Sequence, residues 1–136
     1  MVQNKMGNLT QAFADLRKMG FIARQNFMCC SSCAGYKIAV DIEKMIKGGK
    51  KKEKITGCVY YNKQSGKTLR DGGAFYLQYG QVNTEKYGDV GLPTVECGRL
   101  IVEALVKNGL EVEWDGTEDC AILVKAVCPK PYLRWY

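Results

Sequence analysis

Apolar residues recur about every 3.6 residues in three stretches of the chain, which predicts three amphipathic helices. Asn8 and Gln11 form a capping box that would begin the first helix. Ser31 or Ser32 can cap the second, and Pro93 would open the third. The three predicted buried stripes comprise Leu9, Ala12, Phe13 and Leu16; Ala34 (or Cys33), Ile38, Ile42, Met45 and Ile46; and Val95, Ile101, Val102, Leu105 and Val106.

Runs of β-branched and aromatic residues between these stretches predict five strands, over residues 21–29, 55–61, 74–82, 110–114 and 120–127. In 110–114 the apolar residues alternate with glutamates, which is the pattern of a strand with one solvated face. The strands 55–61 and 74–82 are neighbours in sequence, so we expect them to pair in antiparallel fashion.

The predicted elements follow the order α-β-α-β-β-α-β-β. Segments 62–73 and 83–92 are polar and rich in turn residues, so we expect a turn and a loop there. This order fits an α+β fold: a single two-layer domain over residues 1–136, with helices on one face of a mostly antiparallel sheet. Residues 1–7 and 129–136 would be loosely ordered tails.

The composition is that of a globular domain. Of 136 residues, 46% are hydrophobic and 25% are charged. The first residues contain no apolar core of a secretory signal, and no apolar run is long enough to span a bilayer. We therefore expect a cytoplasmic protein with no membrane partner.

Cys29, Cys30 and Cys33 combine reactive side chains with a distinctive position. They lie where the first predicted strand gives way to the second helix, and a helix N-terminus stabilises a thiolate. Cys30 could attack a disulfide that Cys33 resolves, or the three thiols could supply part of a zinc site. They could equally be small packed residues, because a lone Cys-x-x-Cys does not decide between these roles.

The chain has seven cysteines and no histidine. An odd count without a secretory signal favours reduced thiols, and we expect Cys58, Cys97 and Cys120 to be small core residues. Without histidine, Ser-His and Cys-His nucleophiles and every metal site that uses histidine are excluded within this chain.

The net charge of +6 is concentrated locally. One basic run comprises Lys44, Lys47, Lys50, Lys51, Lys52 and Lys54. Such a run could bind nucleic acid or another anionic surface. Lysine is favoured at a helix C-terminus and no aromatic residue interleaves with this run, so we expect a solvated helix end instead, and no nucleic-acid partner. An acidic set comprises Glu111, Glu113, Asp115, Glu118 and Asp119. It lacks the spacing of a calcium loop and predicts a solvated strand face, although pairing with the basic run could produce a homo-oligomer.

Aromatic residues of the predicted strands supply the candidate ligand contacts. Tyr61, Tyr76 and Tyr79 lie in two neighbouring strands, whose alternation would expose some of the phenol groups. Arg70 precedes the second of these strands, and together the four residues could line a groove. Core packing and cross-strand pairing would explain the tyrosines equally well.

Three segments together resemble an uncharacterised family of small bacterial domains. They are residues 23–33 with the Cys-Cys-x-x-Cys pattern, the pair Tyr60-Tyr61 ahead of residues 72–80, and residues 109–116. The resemblance spans most of the chain. It implies a single-domain fold and brings no established activity.

The sequence favours a non-catalytic domain that binds a protein partner or a small ligand, with the aromatic sheet face and the region of Cys30 as its contact surface. One alternative is a thiol redox protein or sensor that uses Cys30 and Cys33. The other is a structural zinc domain anchored by the same pair. We expect no resident cofactor unless zinc binds there.

Overall fold

A computed structural model of the chain describes residues 6–28, 31–70, 72–118 and 120–125. The helices of the described part are α1 (Met6–Lys18), α2 (Ser31–Lys47), α3 (Lys63–Arg70) and α4 (Thr94–Lys107), with a short 3-10 helix at Lys52–Lys54. The strands are β1 (Phe21–Arg24), β2 (Gly57–Tyr60), β3 (Phe75–Gly80), β4 (Val82–Thr84), β5 (Gly88–Val90), β6 (Val112–Glu113) and β7 (Ile122–Val124). None of the helices described could cross a bilayer, given their length and hydropathy.

Five strands form one sheet in the order β1-β2-β3-β7-β6, and β4 and β5 form a separate hairpin. β1 and β2 are parallel, because the chain crosses over through α2 between them. The other three pairs of the main sheet are antiparallel. The prediction of an α+β domain with a mostly antiparallel sheet is therefore confirmed.

One side of the sheet, here called the near face, packs against α1 and α4. Side chains alternate along each strand, so every second residue points to this face. Strand side chains from Phe21, Ala23, Val59, Phe75, Leu77, Ile122 and Val124 meet helix side chains from Leu9, Ala12, Phe13, Leu16, Cys97, Ile101, Ala104 and Leu105. Together they form the larger hydrophobic core. Phe13, Tyr61 and Phe75 add edge-to-face ring contacts within it.

The opposite side, here called the far face, packs against α2 and the β4–β5 hairpin. Its core consists of Ile22, Ala34, Ile38, Ile42, Ile55, Cys58, Tyr60, Val82 and Val90. The hairpin is tied to α2 by a hydrogen bond of 2.8 Å from the Lys86 backbone to Glu43. Helices thus cover both faces of the sheet, whereas the sequence predicted them on one face. Helical periodicity shows that a helix has a buried side, but it does not show which face of a sheet that side meets.

Two elements replace predicted turns. Segment 62–73 contains α3, whose first turn is capped by Asn62 Oδ1 accepting from the Ser65 amide at 2.9 Å. Segment 83–92 contains the β4–β5 hairpin, held by the buried Thr84 hydroxyl. Both predictions were wrong because α3 buries few apolar side chains, Leu69 among them, and the hairpin strands are only three residues long.

Several boundaries also differ from the prediction. α1 begins at Met6, inside the expected tail. The side-chain amide of Asn8 donates a hydrogen bond to the carbonyl of Asn108, the residue that follows α4. β1 ends at Arg24, since Asn26 and Met28 adopt positive φ angles that break an extended strand. On α4, Val106 is 56% exposed, contrary to its predicted place in the buried stripe.

Candidate ligand groove

A groove lies on the far face, between the amino-terminal half of α2 and strands β3 and β4. Its volume is about 250 Å³, and it is lined by Gly35, Ile38, Cys58, Tyr60, Gln78, Tyr79, Gln81, Val82 and Asn83. We call it the α2–β4 groove. The groove forms because α2 and the hairpin pack side by side on the sheet and leave a gap between them at the amino-terminal half of α2.

Gly35 shapes one wall of the groove. A Cβ atom built there would lie 3.9 Å from the hydroxyl of Tyr60, an ordinary contact distance with no clash. The glycine is therefore not required by sterics at this point of α2. Glycine in a helix interior costs up to about 1 kcal/mol relative to alanine, and here the missing side chain leaves space next to the sheet.

The lining of the groove is polar but uncharged. Among the described residues that line it, none is Asp, Glu, Lys or Arg, although such residues make up 25% of the chain. The Gln81 amide donates to the Gly91 carbonyl at 3.1 Å, and the Asn83 amide donates to Asp89 at 2.7 Å. Both side chains keep a carbonyl oxygen that can accept a further bond.

Gln78 is the polar residue of the groove with the most hydrogen-bonding capacity left. It lies on β3 opposite Tyr60 of β2, with a half-buried side chain. Within the described part of the chain, no hydrogen bond involves its side-chain amide. A carboxamide offers two donors and one acceptor, so Gln78 can bind a ligand group that has both functions.

The thiol of Cys58 lines the groove without being reactive. Burial, together with a smaller effect of the nearby Cys97, raises the pKa of Cys58 to about 12. The nucleophile in thiol chemistry is the thiolate, which is almost absent at neutral pH when the pKa is this high. The groove therefore supplies contacts and no activated sulfur from Cys58.

A second part of the far face lies on β3, the strand that carries Gln78 of the groove, and on β7 and β6. Tyr76, Leu123 and Glu113 lie side by side on β3, β7 and β6, and we call them the open shelf. Tyr76 is 54% exposed. Glu113 pairs with Lys125 at 2.7 Å at the outer edge. On this face α2 packs on the β1–β2 side and on the hairpin, away from the shelf.

A charged cluster holds the other flank of α2 on the sheet. Arg24 and Lys37 contact the two carboxylate oxygens of Asp41 at 2.7 and 3.0 Å. Burial alone would raise the pKa of Asp41, but the hydrogen bonds from Arg24 and Lys37 outweigh this and lower it. Arg24 also stacks over Phe27 at 4.7 Å, and Phe27 meets Tyr60 edge to face.

The structure does not bring the predicted ligand residues together. Tyr61 is 3% exposed and lies in the near-face core. Tyr76 is on the open shelf, next to the groove. Arg70 ends α3, and its side chain lies outside the described part of the structure. Alternation separates these residues, since Tyr61 and Tyr76 point to opposite faces of the sheet.

The side chain of Tyr79 holds the connection between β6 and β7. Its hydroxyl accepts from Trp114 Nε1 at 2.7 Å and donates to the Cys120 carbonyl at 2.7 Å, which fixes the β6–β7 connection. Burial raises the pKa of Tyr79, so the phenol stays protonated. Gly98 allows α4 to pack closely here, because a Cβ at Gly98 would lie 2.5 Å from the Trp114 ring.

The Cys-x-x-Cys segment is described only in part. Cys29 and Cys30 lie outside the described residues, and Cys33 is exposed in the first turn of α2. α2 begins at Ser31, one or two residues before the start that a Ser31 or Ser32 cap predicts. Among the residues the structure describes, no three side chains of Cys, Asp or Glu are placed to share a metal ion.

The other cysteines divide into two classes. Cys58 and Cys97 are buried, as predicted, but Cys120 is exposed, contrary to prediction. Cys120 follows the solvated turn after Trp114 and precedes β7, so it lies outside the buried strand that the sequence predicted.

Sequence reasoning missed Gly35, Gln78, Gln81 and Asn83. Two local signals could have found the first two. Gly35 interrupts the interior of an otherwise regular helical pattern, and Gln78 interrupts an aromatic strand at a single position. Gln81 and Asn83 could not be placed, because the hairpin that carries them was predicted as a loop.

Comparison with known proteins matches nearly the whole chain to one family. Residues 3–129 match the model of a family described as a domain of unknown function, DUF6891. No curated protein and no solved structure matches the chain.

Proposed function

We propose that this chain, which belongs to the DUF6891 family, is a protein-interaction domain that binds an uncharged, extended segment of a partner in the α2–β4 groove. The observation that carries the proposal is the lining of the groove. The described residues that line it include no charged side chain, and the Gln78 side-chain amide has no hydrogen-bond partner in the described chain.

The chemistry of the lining favours a peptide as the ligand. A peptide group has one donor and one acceptor, which match the side-chain amide of Gln78. The free carbonyl oxygens of Gln81 and Asn83 can accept from further backbone N–H groups. A charged side chain would lose its hydration here without finding an opposite charge, which disfavours charged ligands.

The size of the groove limits what it holds. A cavity of about 250 Å³ accommodates one or two residues of a peptide. The open shelf continues the surface beyond the groove, with the exposed ring of Tyr76 available for an apolar contact. Tyrosine contributes large contact areas at low cost in conformational entropy, which suits it to interfaces.

The ligand is expected to bind non-covalently, because the Cys58 thiol in the groove is protonated at neutral pH and is therefore a poor nucleophile. The two buried cysteines, Cys58 and Cys97, are free thiols. Free thiols are typical of a reducing compartment, and this supports the cytoplasm as the site of action.

The proposal is tested by filling the groove. A library of random linear peptides is selected on the full chain, and the affinities of the selected peptides are measured by fluorescence polarisation. Gly35→Leu places a side chain in the groove and raises helix propensity, so the variant should fold and bind at least about tenfold more weakly. Gly7→Leu is the matched control, since position 7 of α1 faces open space.

A second pair of variants tests the amide. Gln78→Leu should weaken binding about fivefold to tenfold, the usual loss for one hydrogen bond. Gln64→Leu, on the exposed side of α3, should bind like the parent chain. Selected peptides that bind Gly35→Leu and the parent equally well, or that require a charged residue at the contact, would contradict the proposal.

A further inference from the structure

Positive charge is gathered in a short stretch of this chain. Residues 44–54 contain six lysines and one glutamate, so they carry +5 of the net +6. The remaining residues hold 14 basic and 13 acidic side chains and are close to neutral. The uneven distribution sets this stretch apart from an ordinary mixed surface.

The lysines of the stretch are available to a partner. Lys52 Nζ donates to the Tyr87 carbonyl at 2.8 Å. The other five are exposed: Lys44, Lys47, Lys50, Lys51 and Lys54. None of the five takes part in the ion pairs found among the described residues. Their charge is therefore not neutralised by neighbouring acids within 4 Å.

Two exposed apolar residues lie at the same end of the molecule. The Thr56 amide donates to the Gly20 carbonyl at 2.9 Å, and the Leu92 amide donates to the Thr56 carbonyl at 2.8 Å. These bonds place Met19, which is 41% exposed, and Leu92, which is 37% exposed, beside the end of the lysine stretch. We call the lysine stretch with Met19 and Leu92 the basic end.

A cavity confirms that the apolar and charged parts of the basic end adjoin. It has a volume of about 400 Å³ and is lined by Lys52, Glu53, Ile55, Thr56, Asp89, Gly91 and Leu92. Glu53 and Asp89 are its acidic members, and they leave the basic end strongly positive.

In contrast to the expectation from the sequence that the chain has no membrane partner, we propose that the basic end binds the surface of an anionic bilayer, with lysines on the headgroups and Met19 and Leu92 in the interfacial layer. Each lysine near an anionic surface raises the partition coefficient about fivefold. Apolar side chains at the contact add to this attraction. This site is separate from the α2–β4 groove and does not depend on the proposed function.

The composition of the stretch favours lipid over nucleic acid. Residues 44–54 contain neither arginine nor an aromatic residue. Proteins that bind nucleic-acid strands use both, for bidentate phosphate contacts and for stacking on bases. Flexible lysines with the exposed side chains of Met19 and Leu92 beside them suit a layer of lipid headgroups better than a nucleic-acid strand.

Sedimentation with lipid vesicles tests the proposal on the full chain. The chain should bind vesicles of phosphatidylcholine mixed with phosphatidylserine, and not vesicles of phosphatidylcholine alone. Lys50→Glu with Lys51→Glu should lower the partition coefficient at least about tenfold. The control is Lys63→Glu with Lys67→Glu, which makes the same change in net charge. Both residues lie on α3, and α3 follows the carboxyl end of β2, whereas the lysine stretch precedes its amino end. It should lower the coefficient less than about twofold in physiological salt.

The apolar part has its own test. Met19→Ser with Leu92→Ser should weaken vesicle binding severalfold, whereas Val106→Ser, at the far end of α4, should not. Binding that ignores phosphatidylserine, an equal loss in the α3 control, or tighter binding to a DNA duplex than to the mixed vesicles would overturn the proposal.

Discussion

The two faces of the central sheet are built from the same strands but are covered to different extents by the other elements. On the near face, α1 and α4 pack against four of the strands and form the larger core. On the far face, α2 and the β4–β5 hairpin cover the β1–β2 side and leave the open shelf. Adjacent residues of β3 show the contrast, since Leu77 is fully buried and Tyr76 is 54% exposed.

This difference separates stability from recognition within one sheet. Core residues of the near face make many apolar contacts and leave little room for change. The α2–β4 groove and the open shelf of the far face have space, polar groups and an exposed aromatic ring, so their residues can vary with modest effects on folding. Substitutions on the two faces should therefore fall into distinct classes.

The largest contrast is expected between neighbours on β3. Leu77→Ala should lower the free energy of unfolding by about 2–5 kcal/mol, because it leaves a cavity in the near-face core. Tyr76→Ala should cost less than about 1 kcal/mol, mainly through strand propensity. Urea unfolding of both variants measures the difference, and equal losses would show that the open shelf is covered.

Gly98→Ala should destabilise the chain by about 1–3 kcal/mol. The new methyl group would lie 2.5 Å from the Trp114 ring, so α4 or the indole must move. Combining it with Trp114→Phe should recover part of the loss in a double-mutant cycle, because the smaller ring relieves the clash. Additive losses would place the strain elsewhere.

A smaller effect is expected for the hairpin on the far face. The Thr84 hydroxyl donates to the Gly88 carbonyl at 2.9 Å and accepts from the Tyr87 amide at 3.0 Å. Thr84→Val keeps the shape and removes both bonds, at a cost of about 1–2 kcal/mol. Thr10→Val on the exposed side of α1 is the control and should cost less than about 0.5 kcal/mol in urea unfolding.

The smallest effect concerns pH and the flank of α2. The folded pKa of Asp41 is lowered by hydrogen bonds from Arg24 and Lys37, against the opposing effect of burial. Its contribution is therefore present above the unfolded pKa and is lost as pH falls through the folded pKa. The difference in stability between the parent chain and Asp41→Asn should shrink as the pH falls through the ordinary pKa of an aspartate, about 3.9, and below it. A constant difference in thermal unfolding would contradict this.

Much of the fold follows from periodicity. The stripes of α1 and α2 were predicted nearly as observed, since Leu9, Phe13, Ile38 and Ile42 are all buried. α3 and the β4–β5 hairpin were not predicted, because short elements held by single polar caps such as Asn62 carry little periodic signal. The face on which α2 packs depends on the path of the whole chain and is not encoded locally.

The candidate site was less accessible to sequence reasoning. Tyr76 was correctly placed in a strand, but the groove beside it depends on the hairpin and on Gly35 approaching Tyr60. A groove arises where two elements that are distant in sequence leave a gap between them. Local patterns report on one element at a time, so they identify its walls only after the topology is known.

The place of β7 in the sheet also has a consequence for synthesis. β7 is the last strand along the described chain, yet it lies between β3 and β6 and supplies Ile122 and Val124 to the near-face core. A nascent chain on the ribosome cannot complete its sheet until these residues have emerged. Until then β3 presents an unpaired edge, which can pair with another chain and aggregate. We therefore expect a chaperone to protect the nascent chain most at this stage.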